Sequence, residues 1–331
     1  MADTKISILN LIPKYQDETQ KEAFDRALDL ARFAEENYFS RYWVAEHHNT
    51  RAVLGSATDV VLGYLLANTD RLRVGAGGVM LPNHTPFQVA ERYGTLEALY
   101  PGRVDLGVGR APGTDRATAR LIYRDHYDQA SFAAALSQLQ AYMSDDADQL
   151  PVSPTPGIGA KVPIYVLGSS DASAYVAAEL GLPYSFAGHF SPNSIGHALD
   201  IYRKRFRPSE VLQEPYVILG LTTNIAETEE AAEELAFHAS QVFLHLIHRQ
   251  SKDEFLKMDP DQAPELTSIE KFFLRAHRGL SISGSVDEAR DQYKAVMRQY
   301  APDEVIGATY ISDRTALKDN FRLLADIVRN D

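Results

Sequence analysis

The chain contains no cysteine, which removes disulfides, thiolate metal sites and thiol nucleophiles together and suits a reducing compartment. Basic residues are outnumbered: 33 Lys and Arg stand against 45 Asp and Glu, a formal net charge of −12, and no basic run occurs. Surfaces that neutralise phosphate backbones need clustered Lys and Arg, so nucleic acid and anionic membrane are not expected partners. No stretch reaches membrane-spanning length, and Met1-Ala2-Asp3-Thr4-Lys5 lacks the basic and apolar regions of a signal peptide. A cytoplasmic protein is the expectation. Also missing is a G-x-G-x-x-G turn after the first apolar run, the fingerprint by which many doubly wound sheets announce a dinucleotide.

What is present is an alternation. Apolar runs at 6–11, 42–45, 72–75, 104–107, 164–167, 184–186, 216–221 and 304–308 read as eight short strands. Between them lie segments with helical spacing, at 58–68, 86–99, 171–180, 193–206, 228–249 and 286–300, with a last helix running to 328. The first helix is announced by Thr19-Gln20-Lys21-Glu22, a capping-box spacing. Eight strands each followed by a helix close most naturally into a parallel α/β barrel of the (β/α)8 TIM type. The 331 residues are expected to form one such domain, with insertions near 144–160 and 251–267. The first insertion is rich in Asp, Pro and Gly and the second in Asp, Glu and Pro; the second is a lid candidate.

In such barrels chemistry sits at the C-terminal ends of the strands, and four of these ends stand out. The second ends in Ala45-Glu46-His47-His48. Adjacent strand residues point to opposite faces, so the two histidines cannot readily chelate one metal, whereas a single His facing the mouth suits proton transfer. Two histidines bonded to backbone are the plainer alternative. The third end carries Gly75-Ala76-Gly77-Gly78, open to close approach by a flat ligand or to a tight turn. In Gly107-Val108-Gly109-Arg110 an arginine among glycines can pair with phosphate oxygens, or merely be solvated. The fifth, Gly168-Ser169-Ser170-Asp171-Ala172-Ser173, precedes a helix and offers either an anion site at its N-terminus or ordinary N-caps.

At these strand ends the chain resembles the bacterial luciferase-like monooxygenases. The resemblance is carried by Arg41-Tyr42-Trp43-Val44-Ala45-Glu46-His47-His48-Asn49, Val79-Met80-Leu81-Pro82-Asn83-His84, the run from Tyr100-Pro101-Gly102-Arg103 to Gly109-Arg110, and Pro163-Ile164-Tyr165-Val166-Leu167-Gly168-Ser169-Ser170. It implies FMN as cofactor, with reduced FMN supplied by a separate flavin reductase and O2 as co-substrate. A small organic substrate is oxygenated, an aldehyde-like one by analogy with the fold. It further implies His47 as the active-site histidine, a non-proline cis peptide at Gly77-Gly78 beneath the flavin, and a phosphate site of Arg110, Ser169, Ser170 and Ser173. A homodimer is implied as well. Light-emitting members carry a reactive cysteine where this chain has Gly109, so light emission is not implied. Hydride transfer with the deazaflavin F420, or FMN binding without turnover, are the alternatives; a metal-dependent hydrolase built on Glu46, His47 and His48 is the least favoured.

Overall fold

The computed structural model describes residues 4–122, 128–247, 253–257, 265–276 and 279–331. Its strands are β1 (Lys5–Asn10), β2 (Arg41–Val44), β3 (Arg73–Met80), β4 (Val104–Gly109), β5 (Ile164–Gly168), β6 (Tyr184–Ala187), β7 (Val217–Ala226), β8 (Ser281–Ser285) and β9 (Glu304–Ala308). Along the barrel strands, side chains alternate between the helix-facing side and the barrel interior. Ile6, Ile8, Tyr42, Val44, Val104, Leu106, Val217 and Leu219 face outward onto helices in one large core. Leu9, Trp43, Tyr165, Ile218 and Ile306 belong to a separate interior core. Both faces are therefore dry, as a parallel sheet wrapped by helices requires.

All pairings are parallel, in the order β6-β5-β4-β3-β2-β1-β9-β7, and β6 also pairs with β7, which closes an eight-stranded barrel. The eight runs read from the sequence are the eight barrel strands. A ninth, β8, was not foreseen. It pairs with the far end of β7, which is ten residues long: residues up to Thr222 pair with β6 and β9, Thr223 to Ala226 extend past them, and Thr222 to Ala226 pair with β8.

The helices are α1 (Gln20–Glu36), α2 (Thr58–Leu66), α3 (Pro86–Leu99), α4 (Arg116–Ile122), α5 (Gln129–Met143), α6 (Asp171–Glu179), α7 (Ile195–Arg205), α8 (Glu229–Ile247), α9 (Ser268–Ala276), α10 (Val286–Tyr300) and α11 (Arg314–Asn330). The expected capping box opens α1: Thr19 Oγ1 accepts from Glu22 N at 3.2 Å, and Thr19 N donates to Glu22 Oε2 at 2.7 Å. Among the described residues no helix is long and apolar enough to cross a membrane. The expected insertion at 144–160 contains a short 3-10 turn, Asp145–Gln149, and packs back on α3, where Gly157 lies against Gly94. Most of 251–267 falls outside the described residues; within it Phe255 is buried and bonds through its backbone to Lys14 and Gln16.

The N-terminal half of the barrel interior is plugged by ions. Arg41 donates to Asp105 Oδ2 at 2.8 Å, to Glu304 Oε1 at 2.8 Å and to the Tyr165 hydroxyl at 2.6 Å. Arg73 pairs with the other Asp105 oxygen, and Tyr216 donates to Glu304 Oε2 at 2.8 Å. Two cations balance two carboxylates, both fully buried, so little uncompensated charge is left inside. Closed at this end, the barrel can open only at the C-terminal ends of its strands.

Candidate active site

That open end holds a cavity of about 270 Å³. His47, Gly77, Arg110, Ser169, Ser170 and Ser173 all line it, so β2, β3, β4 and β5 bring six of the seven sequence-selected residues to one space. Gly78 does not line it. Its carbonyl instead accepts from Glu46 N at 3.2 Å, and the Gly77-Gly78 peptide bond is cis. The glycines are needed for packing: a Cβ on Gly77 would lie 2.6 Å from the Trp43 ring, and one on Gly78 2.7 Å from the Gly107 carbonyl.

The paired histidines diverge, although both lie in the loop after β2 and not on the strand itself. His47 lines the cavity, and its Nδ1 is buried. Burial lowers its pKa despite a hydrogen bond to the Ala45 backbone and the nearby Glu46 carboxylate, which favours the neutral ring. His48 turns away and bonds through Nε2 to Glu46 Oε1 at 2.7 Å. Glu46, 1% exposed, is also the acceptor for Met80 N at 2.8 Å, Asn83 Nδ2 at 2.9 Å and His84 Nε2 at 3.0 Å. Burial would push this carboxyl up, but the donors from His48, His84 and Asn83 overcome it and hold the group down at about 2. Glu46 thus ties the loop after β2 to the loop after β3. The sequence reading considered Glu46 only as a metal ligand. The donors in Met80-Leu81-Pro82-Asn83-His84 are visible in the sequence, but nothing local says that they converge on it.

Arg110 is exposed and, among the described residues, makes no hydrogen bond or ion pair. Ser170 stands at the N-cap of α6 with its hydroxyl unused for capping. The first-turn N–H groups and dipole of α6, these hydroxyls and the Arg110 guanidinium offer donors and positive charge with no internal acceptor for Arg110. Ser173 differs: its hydroxyl donates to the Ser170 carbonyl at 2.7 Å and shares a bond with the Tyr184 hydroxyl at 3.0 Å. Its neighbour Gly168 must be glycine, since a Cβ there would sit 2.0 Å from Ser173 Oγ.

The sixth strand end contributes a residue the sequence reading passed over. His189 lines the cavity, and burial, opposed by a hydrogen bond to the Gly220 backbone and aided by the nearby His47, pushes its pKa down to about 4. Ala187-Gly188-His189 does carry a signal of the same kind as the other ends: a histidine after a glycine at a barrel strand terminus. Apart from Ser185 the remaining walls are apolar, with Leu9, Trp43, Leu167, Phe186 and Ile306 among them.

A closed parallel barrel with a largely apolar, histidine-bearing cavity and an arginine on its rim at the strand ends is a (β/α)8 barrel with a candidate site where such barrels carry theirs. Within it, residues 4–304 match the family model described as luciferase-like monooxygenase, and the chain belongs to that family. It is 41% identical over 332 residues to the uncharacterized protein YvbT of Bacillus subtilis (strain 168), covering 99% of this chain and 98% of the relative. It is 39% identical over 326 residues to a luciferase-like monooxygenase of Escherichia coli (strain K12), covering 97% and 96%. Among solved structures, that of apo-MsnO8 superposes with a TM-score of 0.88 at 29% identity, covering 98% of each chain.

Proposed function

We propose that this protein is an FMN-dependent monooxygenase, using reduced FMN from a separate reductase and O2 to oxygenate a small organic substrate. The observation that carries this reading is Arg110, without a hydrogen bond or ion pair among the described residues, on the same cavity rim as the Ser170 hydroxyl that makes no capping bond and the N-terminus of α6. A guanidinium, hydroxyls and helix N–H groups are the donor set that a phosphate monoester dianion requires. The glycine cradle at Gly77 and Gly109 leaves the adjoining wall free of side chains, which suits a flat ring system.

On this reading Arg110, Ser169 and Ser170 bind the phosphate, while Ser173 fixes the Ser170 carbonyl and so the start of α6. Gly77 admits the ring. When bound, FMN supplies the oxygen-activating redox chemistry. The chain's own tasks are to orient, to exclude water and to manage a proton. Leu9, Trp43, Leu167 and Ile306 keep the cavity dry, and His47, neutral at working pH, accepts or returns a proton at its ring nitrogen.

The test is oxygen uptake with FMN, a flavin reductase and its reductant, screened across candidate substrates. Substrate-dependent uptake above that of the reductase alone, abolished in His47→Ala, supports the proposal. FMN binding with no stimulation by any substrate would make the protein a flavin carrier instead.

A further inference from the structure

Resting on the flavin reading, and going beyond it to a modification of the chain itself, we propose that the Met80 thioether is a self-oxidation site. Peroxide formed in the cavity when no substrate is present converts it to the sulfoxide, which weakens cofactor binding.

The chain has no cysteine and five methionines. Among the described residues, Met80 supplies the only sulfur that lines the cavity. Its placement follows from the sheet: Met80 ends β3 and is the register partner of Gly109 at the end of β4. Gly109 has no side chain, so the Met80 side chain lies across it. A Cβ on Gly109 would come within 3.2 Å of both Sδ and Cε, and one on Gly113 within 2.9 Å of Cγ. All three residues line the cavity, and the two glycines leave the thioether as the side chain of that wall. Its backbone is fixed by the bond from Met80 N to Glu46 Oε2 at 2.8 Å. Two other methionines provide contrast. Met143 is buried at 3% exposure. Met297 is half-buried, as Met80 is, but sits on α10 and packs against the outer core, away from the cavity.

The chemistry closes without a further reagent. In the absence of substrate, reduced FMN passes two electrons and two protons to O2, giving FMN and H2O2. The sulfur lone pair attacks one peroxide oxygen, so an S–O bond forms as the O–O bond breaks. The sulfur is oxidised by two electrons, and the departing hydroxide takes up the proton shed by the transferred oxygen and leaves as water. A flexible apolar side chain becomes a polar one. The new oxygen is an acceptor in the wall at Gly109, against which the flavin ring lies on this reading, and covering an acceptor without giving it a donor costs binding. Oxidation of Met80 thus ends idle turnover by releasing the cofactor.

The test incubates the full chain with FMN, a flavin reductase, its reductant, O2 and catalase, without substrate, and maps its peptides by mass spectrometry. Catalase destroys peroxide that escapes to bulk solution, so Met80 should gain one oxygen atom while Met297 does not. Equal gains at the two, or none at Met80, overturn the proposal. A second arm reads the consequence by quenching of flavin fluorescence. Pretreatment with H2O2, followed by its removal, should lower the FMN affinity of the wild type about fivefold to tenfold, the loss expected for one unpaired polar group. The same pretreatment should not shift the affinity of Met80→Leu, which has no sulfur there. An equal shift in Met80→Leu, or none in the wild type, overturns the proposal. Should Met80→Leu not fold, the control is recovery of wild-type affinity after treatment with methionine sulfoxide reductase, and failure to recover counts against the proposal. FMN binding without oxidation of Met80 removes this proposal alone, whereas failure of FMN to bind the untreated wild type removes the flavin reading and this proposal with it.

Discussion

The carboxylate of Glu46 accepts the backbone N–H of Met80 at 2.8 Å, fastening the end of β2 to the end of β3 directly behind the cavity. The same carboxylate receives His48, Asn83 and His84. Its charge matters more than its shape. In Glu46→Gln the amide would turn a donor toward a donor, leaving at least one buried N–H unsatisfied at a cost of about 1–3 kcal/mol. A lowered urea midpoint at pH 7 with an unchanged slope is the expected result.

The same residue predicts a pH dependence. The Glu46 pKa is depressed in the folded state to about 2, so ionised Glu46 stabilises the protein above the ordinary glutamate range and that stabilisation is lost as pH falls toward 2. The full contribution is on the order of 3 kcal/mol, taking 1.36 kcal/mol for each pH unit by which the pKa is displaced. Urea unfolding of wild type and Glu46→Gln should converge in stability between about pH 4.5 and pH 2.5; parallel curves would show that Glu46 is not held ionised.

Much of this was legible in the sequence, for identifiable reasons. Barrel strands are buried on both faces and stand out as apolar runs, and the Thr19–Glu22 box marked the start of α1. β8 was hidden because Ser281-Ile282-Ser283-Gly284-Ser285 has a single apolar residue; only its pairing with the overhang of β7 makes it a strand. α5 was missed although Phe132, Leu136, Leu139 and Met143 recur at helical spacing, because alanines and serines flatten the contrast between its faces. Site residues at strand ends were legible because the barrel dictates where they lie. Glu46 as a clamp and His189 as a cavity wall depend on contacts between distant segments, which a one-dimensional pattern does not carry.

Ser170 and Ser173 separate binding from stability. Ser170→Ala removes a hydroxyl that makes no capping bond, so it should weaken FMN binding severalfold with little change in stability. Ser173→Ala removes bonds to the Ser170 carbonyl and to Tyr184 and should cost about 1 kcal/mol of stability. Flavin titration and urea unfolding of both variants check the split; identical profiles would contradict it.

The glycines of the cradle are not equivalent. A methyl on Gly77 meets the rigid Trp43 ring at 2.6 Å and Leu9 at 3.2 Å, whereas one on Gly109 meets only the end of the Met80 side chain at 3.2 Å. Gly77→Ala should destabilise by about 1–3 kcal/mol, the usual cost of overpacking. Gly109→Ala should be tolerated within about 1 kcal/mol because methionine readjusts. Thermal melts of the two variants give the comparison.

The central claim is that Arg110 and the start of α6 bind the phosphate of FMN. Parallel titrations of wild type and Arg110→Ala with FMN and with riboflavin, which lacks the phosphate, test it most directly. Charge-assisted phosphate contacts should make FMN bind wild type at least about tenfold more tightly than riboflavin, and Arg110→Ala should remove most of that difference while leaving riboflavin affinity unchanged. Equal binding of FMN and riboflavin by wild type, or binding of F420 with no measurable FMN affinity, would contradict it.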